Sequence, residues 1–77
     1  MNIYWCHEKD EYCGLYVKAR TRGSAKEIYS AEVECDFIDV RTHLLKHGIN
    51  EIVEEVIDID SPLLKKYGLE YGEDEEQ

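Results

Sequence analysis

Six residues in this chain of 77 carry side chains suited to nucleophilic or metal chemistry: Cys6, His7, Cys13, Cys35, His43 and His47. Cys6, His7 and Cys13 are close in sequence, and a hairpin between them would bring them close in space. With Cys35 or His43 they could then complete a tetrahedral zinc site. Their spacing is not that of a zinc knuckle, since no Cys-x2–4-Cys pair is present, and free cysteine is more often a small core filler. The expectation is therefore no metal and no cofactor, with Cys6, His7 and Cys13 as the alternative set. His43 and His47, four apart, would share a helix face as a zinc enzyme requires. On a strand they would lie about 13 Å apart, too far for one metal, and no acid between them could act as a general base. Cysteine catalysis needs an electropositive thiolate, whereas Cys6 and Cys13 are flanked by Glu8, Asp10 and Glu11, so no enzymatic role is expected. The run from Arg20 to Ser24 could hold one anion at a helix start, but its single glycine fits an ordinary capped helix with solvated arginines.

The acidic side chains are the second chemical feature. Residues 1–47 hold seven Lys/Arg and eight Asp/Glu, whereas 48–77 hold only Lys65 and Lys66 against ten acids, so most of the net charge of −9 lies in the last third. Nucleic acid and anionic membrane both need basic surface and are excluded as direct partners. Two functional readings remain for the series that begins Glu51, Glu54, Glu55, Asp58, Asp60 and runs into the C-terminus. It could imitate phosphate spacing and occupy a basic groove on another protein, with Tyr67 and Tyr71 beside it as interface aromatics. Calcium is the weaker alternative, because Asp58-Ile59-Asp60 alone falls short of a calcium loop. A solvated face that only maintains solubility is the plain alternative to both.

The elements that must position these residues centre on Gly14–Lys46. Leu15, Val17 and Ala19 alternate with Tyr16, Lys18 and Arg20, the period-two pattern of a strand with one wet face. Ser24 and Glu27 fit a capping box, with Thr21 as a rival cap, and Ala25, Ile28, Tyr29 and Val33 form the apolar stripe of the helix that follows. Residues 37–45 read as a strand with Ile38, Val40, Thr42 and Leu44 inward and Asp39, Arg41 and His43 outward. A helical grouping of Phe37, Val40, Leu44 and Leu45 is the alternative; the β-branched density favours the strand. This gives a right-handed β-α-β crossover with parallel strands and the helix on one sheet face. Before it, Met1–Cys6 is a short strand hairpinned to the next through a loop of about five residues, with Trp5 as the leading core candidate. After it, Gly48 turns the chain, and residues 49–59 read either as a two-turn helix or as a turn and a short strand. Ser61 caps a short helix with Pro62 in its first position and Gly68 as its stop.

The fold class expected is thus α+β: a β-β-α-β sheet of three or more strands, one main helix packed on it and a short C-terminal helix. Residues 1–71 would form a single domain and 72–77 a flexible acidic tail. A domain of this size buries roughly 60% of its extended-chain surface, which leaves little room for a deep catalytic cleft. No apolar run is long enough to span a membrane, the N-terminus lacks the basic flank and apolar core of a signal peptide, and the odd cysteine count speaks against a disulfide framework. A cytoplasmic location follows as the expectation.

With its Ala19-Arg20-Thr21-Arg22-Gly23-Ser24-Ala25-Lys26 and Asp36-Phe37-Ile38-Asp39-Val40-Arg41 segments, the chain resembles small uncharacterised proteins of bacterial phages and prophages. Those combine a strand, an Arg-Gly helix start and a closing strand. The resemblance covers residues 1–46, supports the β-α-β reading and carries no functional residue across. What it implies is a setting, since small acidic phage products include anti-CRISPR proteins and other inhibitors of host defence, some of them nucleic-acid mimics. Charge and setting together give the expected function: a non-enzymatic binding protein that blocks a nucleic-acid-binding host protein, such as a nuclease or CRISPR effector, through Glu51, Glu54, Glu55, Asp58, Asp60, Tyr67 and Tyr71. The alternatives are a Cys/His metal module and an accessory subunit of a phage or host assembly that docks, or forms a homodimer, through a sheet edge.

Overall fold

A computed structural model describes residues 1–10 and 13–69. Along the chain lie β1 (Asn2–Glu8), β2 (Gly14–Ala19), α1 (Arg22–Val33), a single 3-10 turn (Phe37–Asp39), β3 (Val40–Lys46), β4 (Glu55–Ile57) and α2 (Pro62–Lys66). The four strands form one antiparallel sheet in the order β3-β1-β2-β4, and the two helices complete an α+β fold. β1 and β2 pair as the expected hairpin, with Cys6 opposite Leu15 and His7 opposite Gly14. Gly14 is required there, because a Cβ at this position would overlap the Cys6 carbonyl oxygen. Both β2 and β3 run antiparallel to β1, so they are parallel to each other, with the first strand inserted between them.

Strand alternation is visible in how the sheet buries its faces. Tyr4 and Cys6 of β1, Val17 and Ala19 of β2 and Val40 of β3 pack against Ala25 and Tyr29 of α1. On the opposite face, Ile3 and Tyr16 pack with Ile57 of β4, Leu64 of α2 and Ile49. Around Ile3, Tyr16 and Lys18 the central strands are therefore covered on both sides, which corrects the expectation of a wet face for Tyr16 and Lys18, while Arg20, past the end of β2, is exposed as expected. Tyr16 is buried, and Lys18 is only 3% exposed. The second layer is fastened by the N-terminus: the Ile49 amide donates to the Met1 carbonyl (2.7 Å) and the Gly48 amide to Asn2 Oδ1 (3.1 Å). Gly48, at φ 73°, makes the turn that brings Ile49 over the sheet.

Other expectations are adjusted locally. Thr21, not Ser24, caps α1, its hydroxyl accepting from the Ser24 amide at 3.1 Å. The strand within 37–45 begins only at Val40, and Ile38, expected inward, is 78% exposed on the 3-10 turn. Leu44, also expected inward, is largely exposed because α1 does not extend over the far end of the edge strand. Trp5 is half-buried rather than central, its ring edge-on to Tyr16 at a centroid distance of 5.0 Å. Of the two readings of 49–59, the turn and short strand is realised, as Glu55–Ile57. α2 starts as read, with Ser61 accepting from the Leu63 amide and Pro62 in the first turn. Residues 70–77, including the end of the expected domain and its tail, lie outside the described residues.

Candidate functional site

The zinc set does not assemble. Cys6 and His7 are successive on β1 and so project to opposite faces. Cys6 is fully buried under α1, with Sγ 4.0 Å from the Ala25 carbonyl, while Cys13 is exposed directly before β2. Burial pushes the Cys6 thiol up to about 11, against a smaller opposing pull from the Arg22 guanidinium. Cys35 is likewise raised, first by burial and then by the negative charge of Glu8, Asp39 and Asp36 around it. Neither sulfur has the setting of a nucleophile or of a thiolate ligand. Among the described residues no three His, Cys, Asp or Glu side chains converge on a metal position.

The expected acidic interface divides in two. Glu51 and Glu55 close on the buried Lys18 ammonium at 3.6 and 3.1 Å, and Glu51 also meets Lys66 at 3.9 Å and accepts from the Tyr67 hydroxyl at 3.3 Å. The register explains this, since Glu55 stands directly opposite Lys18 across β2 and β4. Glu54 accepts from the Arg20 amide at 2.8 Å and pairs with its guanidinium at 3.6 Å. These three carboxylates hold β4 and the second layer to the sheet, and Tyr67 packs half-buried among the same groups. Asp58 and Asp60 do remain exposed, with the exposed Ile59 between them. Tyr71 lies outside the described residues.

A second acidic surface, at the C-terminal end of α1, escaped the sequence reading. Glu34 ends the helix in the left-handed conformation (φ 58°, ψ 49°), and the chain turns through Asp36 into the 3-10 turn. This corner exposes Val33, Phe37 and Ile38 in company with Glu32, Glu34 and Asp36, three exposed carboxylates that make no ion pair with a described residue. It is braced by the Lys9 amide donating to the Asp39 carbonyl (2.9 Å), by Arg41 donating to the Ile38 carbonyl (3.1 Å), and by the Lys26 ammonium over the Phe37 ring. The signal available in sequence was the acid-apolar alternation of Glu32-Val33-Glu34 and Asp36-Phe37-Ile38, which the inward placement of Ile38 concealed.

On the other face of the sheet, His7 and His43 meet with their Nε2 atoms 3.0 Å apart and ring planes within 6°. His47 lies beyond the end of β3 and is exposed. No helix among the described residues is long and apolar enough to cross a membrane. No protein-family model matches the chain, and no curated protein or solved structure is similar enough to count as a match.

Proposed function

We propose that this is a non-enzymatic cytoplasmic binding protein that occupies the basic, nucleic-acid-binding surface of another protein, in the manner of a phage inhibitor of a host nuclease or CRISPR effector. The observation that carries the reading is the corner at the end of α1. Apolar side chains rimmed by free carboxylates combine the desolvated centre and charged periphery of a protein interface. A net charge of −9 adds long-range attraction to a basic partner. Asp58, Ile59 and Asp60 repeat the same chemistry on a smaller scale. Glu51, Glu54 and Glu55 act in this reading as supports for the fold.

The test is capture from nuclease-treated bacterial lysate at low and high salt, using the native chain and a Glu34→Lys/Asp36→Lys/Ile38→Asp variant as parallel baits. The native bait should retain a basic nucleic-acid-handling protein that salt releases, and the variant should not. An empty capture, or the same protein on both baits, would overturn the assignment.

A second reading, as an accessory subunit joined through a sheet edge, draws on β3. It is a seven-residue edge strand with Leu44 and Leu45 exposed. No acid occurs from Val40 to Asn50 in an otherwise acidic chain, so the edge suits an extended acidic segment. Self-association abolished by Leu44→Lys would favour this reading over the first.

A further inference from the structure

We propose that His7 and His43 form a two-histidine site for a late first-row divalent metal, Cu2+ or Ni2+, on the open half of the sheet face that α2 leaves uncovered. The two residues come from neighbouring strands: His43 stands opposite Trp5 and His7 opposite Arg41, so the rings meet on the diagonal. His7 Nδ1 lies 2.7 Å from the Glu8 carbonyl oxygen. A carbonyl only accepts, so Nδ1 carries the proton and the Nε2 lone pair of neutral His7 points outward. A back-side acceptor that fixes ring and tautomer in this way is the usual support of a metal-ligating histidine. Without metal, that lone pair accepts from His43 Nε2–H. Moving the His43 proton to its own Nδ1 frees a second lone pair beside the first, and no proton need leave the pair.

The separation sets where an ion could sit. Half of 3.0 Å is shorter than a metal–nitrogen bond of about 2.0–2.1 Å, so the ion must sit off the line joining the nitrogens. With bonds of that length and nitrogens this close, the angle at the metal is near a right angle, the cis angle of six-coordinate and tetragonal sites with water in the other positions, and among the divalent ions Cu2+ and Ni2+ stand highest in affinity for such nitrogen ligands. His43 is exposed and His7 half-exposed, so a small pivot of each ring meets little resistance and water fills the remaining positions. The nearest cation on this face, Arg41, directs its guanidinium to the Ile38 and Val40 carbonyls. The net charge of −9 favours cation approach.

Trp5, the one tryptophan in the chain, is directly across from His43 and reports on a paramagnetic ion there. Titration of the full chain with Ni2+ should give saturable, one-equivalent quenching of Trp5 fluorescence and a raised unfolding midpoint. His7→Ala and His43→Gln, checked for native circular dichroism, should each weaken binding by about tenfold or more and abolish the midpoint shift. His47→Ala and Cys13→Ser should change neither. Absence of saturable quenching in the native chain, or binding that survives His7→Ala, would overturn the proposal and leave the pair as a surface hydrogen bond.

Discussion

Lys18 is the residue on which the second layer depends. Its ammonium is almost wholly removed from water and stands between Glu51 and Glu55. A buried pair adds little over a well-packed apolar substitute, but stripping a buried charge of its partners is costly. Because the Glu55 carboxylate is itself half exposed, Glu51→Gln/Glu55→Gln should destabilise by about 3 kcal/mol, the low end for a buried pair, whereas Lys18→Met should cost less. Urea unfolding of the two variants checks the order, and equal losses would show that packing rather than charge sets the effect. Cys6 gives a separate test through pH. Its thiol is raised from 9.0 to about 11 in the folded chain, chiefly by burial and despite Arg22, so below 9.0 it is neutral in both states and its contribution is complete. As pH rises from 9.0 towards about 11, the unfolded chain ionises while the folded thiol keeps its proton, and stability falls. Cys6→Ala should flatten the decline of the urea midpoint over that window; an unchanged slope would assign it to other groups, of which Tyr29, raised by burial, is the first candidate.

At the scale of elements, the start of α1 shows what local chemistry decides and what it leaves open. Thr21 and Ser24 both have the hydroxyl an N-cap needs, and Glu27 made Ser24 the stronger local candidate. Thr21 wins because β2 ends at Ala19, and an immediate start from Arg22 lays Ala25 and Tyr29 on Val17 and Ala19. Thr21→Ala should cost about 1 kcal/mol and Ser24→Ala only a few tenths, measured by urea unfolding. The same distinction governs what was legible in the sequence. The hairpin, α1, the later part of the second crossover strand and the capped α2 follow from period, caps and turns, signals that each element carries in itself. Insertion of β1 between β2 and β3, and burial of Lys18, depend on which strands pair. That is set by register across the sheet, and the alternation of Tyr16, Lys18 and Arg20 reads identically whether its face meets water or a second layer. The acidic series looks uniform for the same reason: Glu51, Glu54 and Glu55 look free in a linear chain and become ion-pair partners only once β4 lies beside β2.

For the whole molecule, the question is whether a net charge of −9 on 77 residues works for or against the folded state. The internal charge contacts are few and unequal. Lys18–Glu51 is largely buried and weakly screened and Lys18–Glu55 joins a buried ammonium to a half-exposed carboxylate, while Arg20–Glu54 and Lys66–Glu51 have mostly exposed cations and are worth little. Against them stand the carboxylates of Glu32, Glu34, Asp36, Asp58 and Asp60, which add to the field of the chain without an ion pair among the described residues. Compaction concentrates that field, and salt with a Debye length of about 10 Å or less removes most of the resulting repulsion while leaving the Lys18–Glu51 contact nearly intact. Stability should therefore rise with salt. Between about 10 mM and about 200 mM sodium chloride the gain should be of order 1 kcal/mol. For a domain of this size that corresponds to about 4–8 °C in Tm. Calorimetry at the two concentrations decides it: a falling Tm would mean that ion pairs dominate the balance. Excess acidity held at a cost in self-repulsion, and relieved by salt, is what a surface kept for a basic partner would show, and neutralising Glu34 and Asp36 to Gln and Asn should reduce the salt gain.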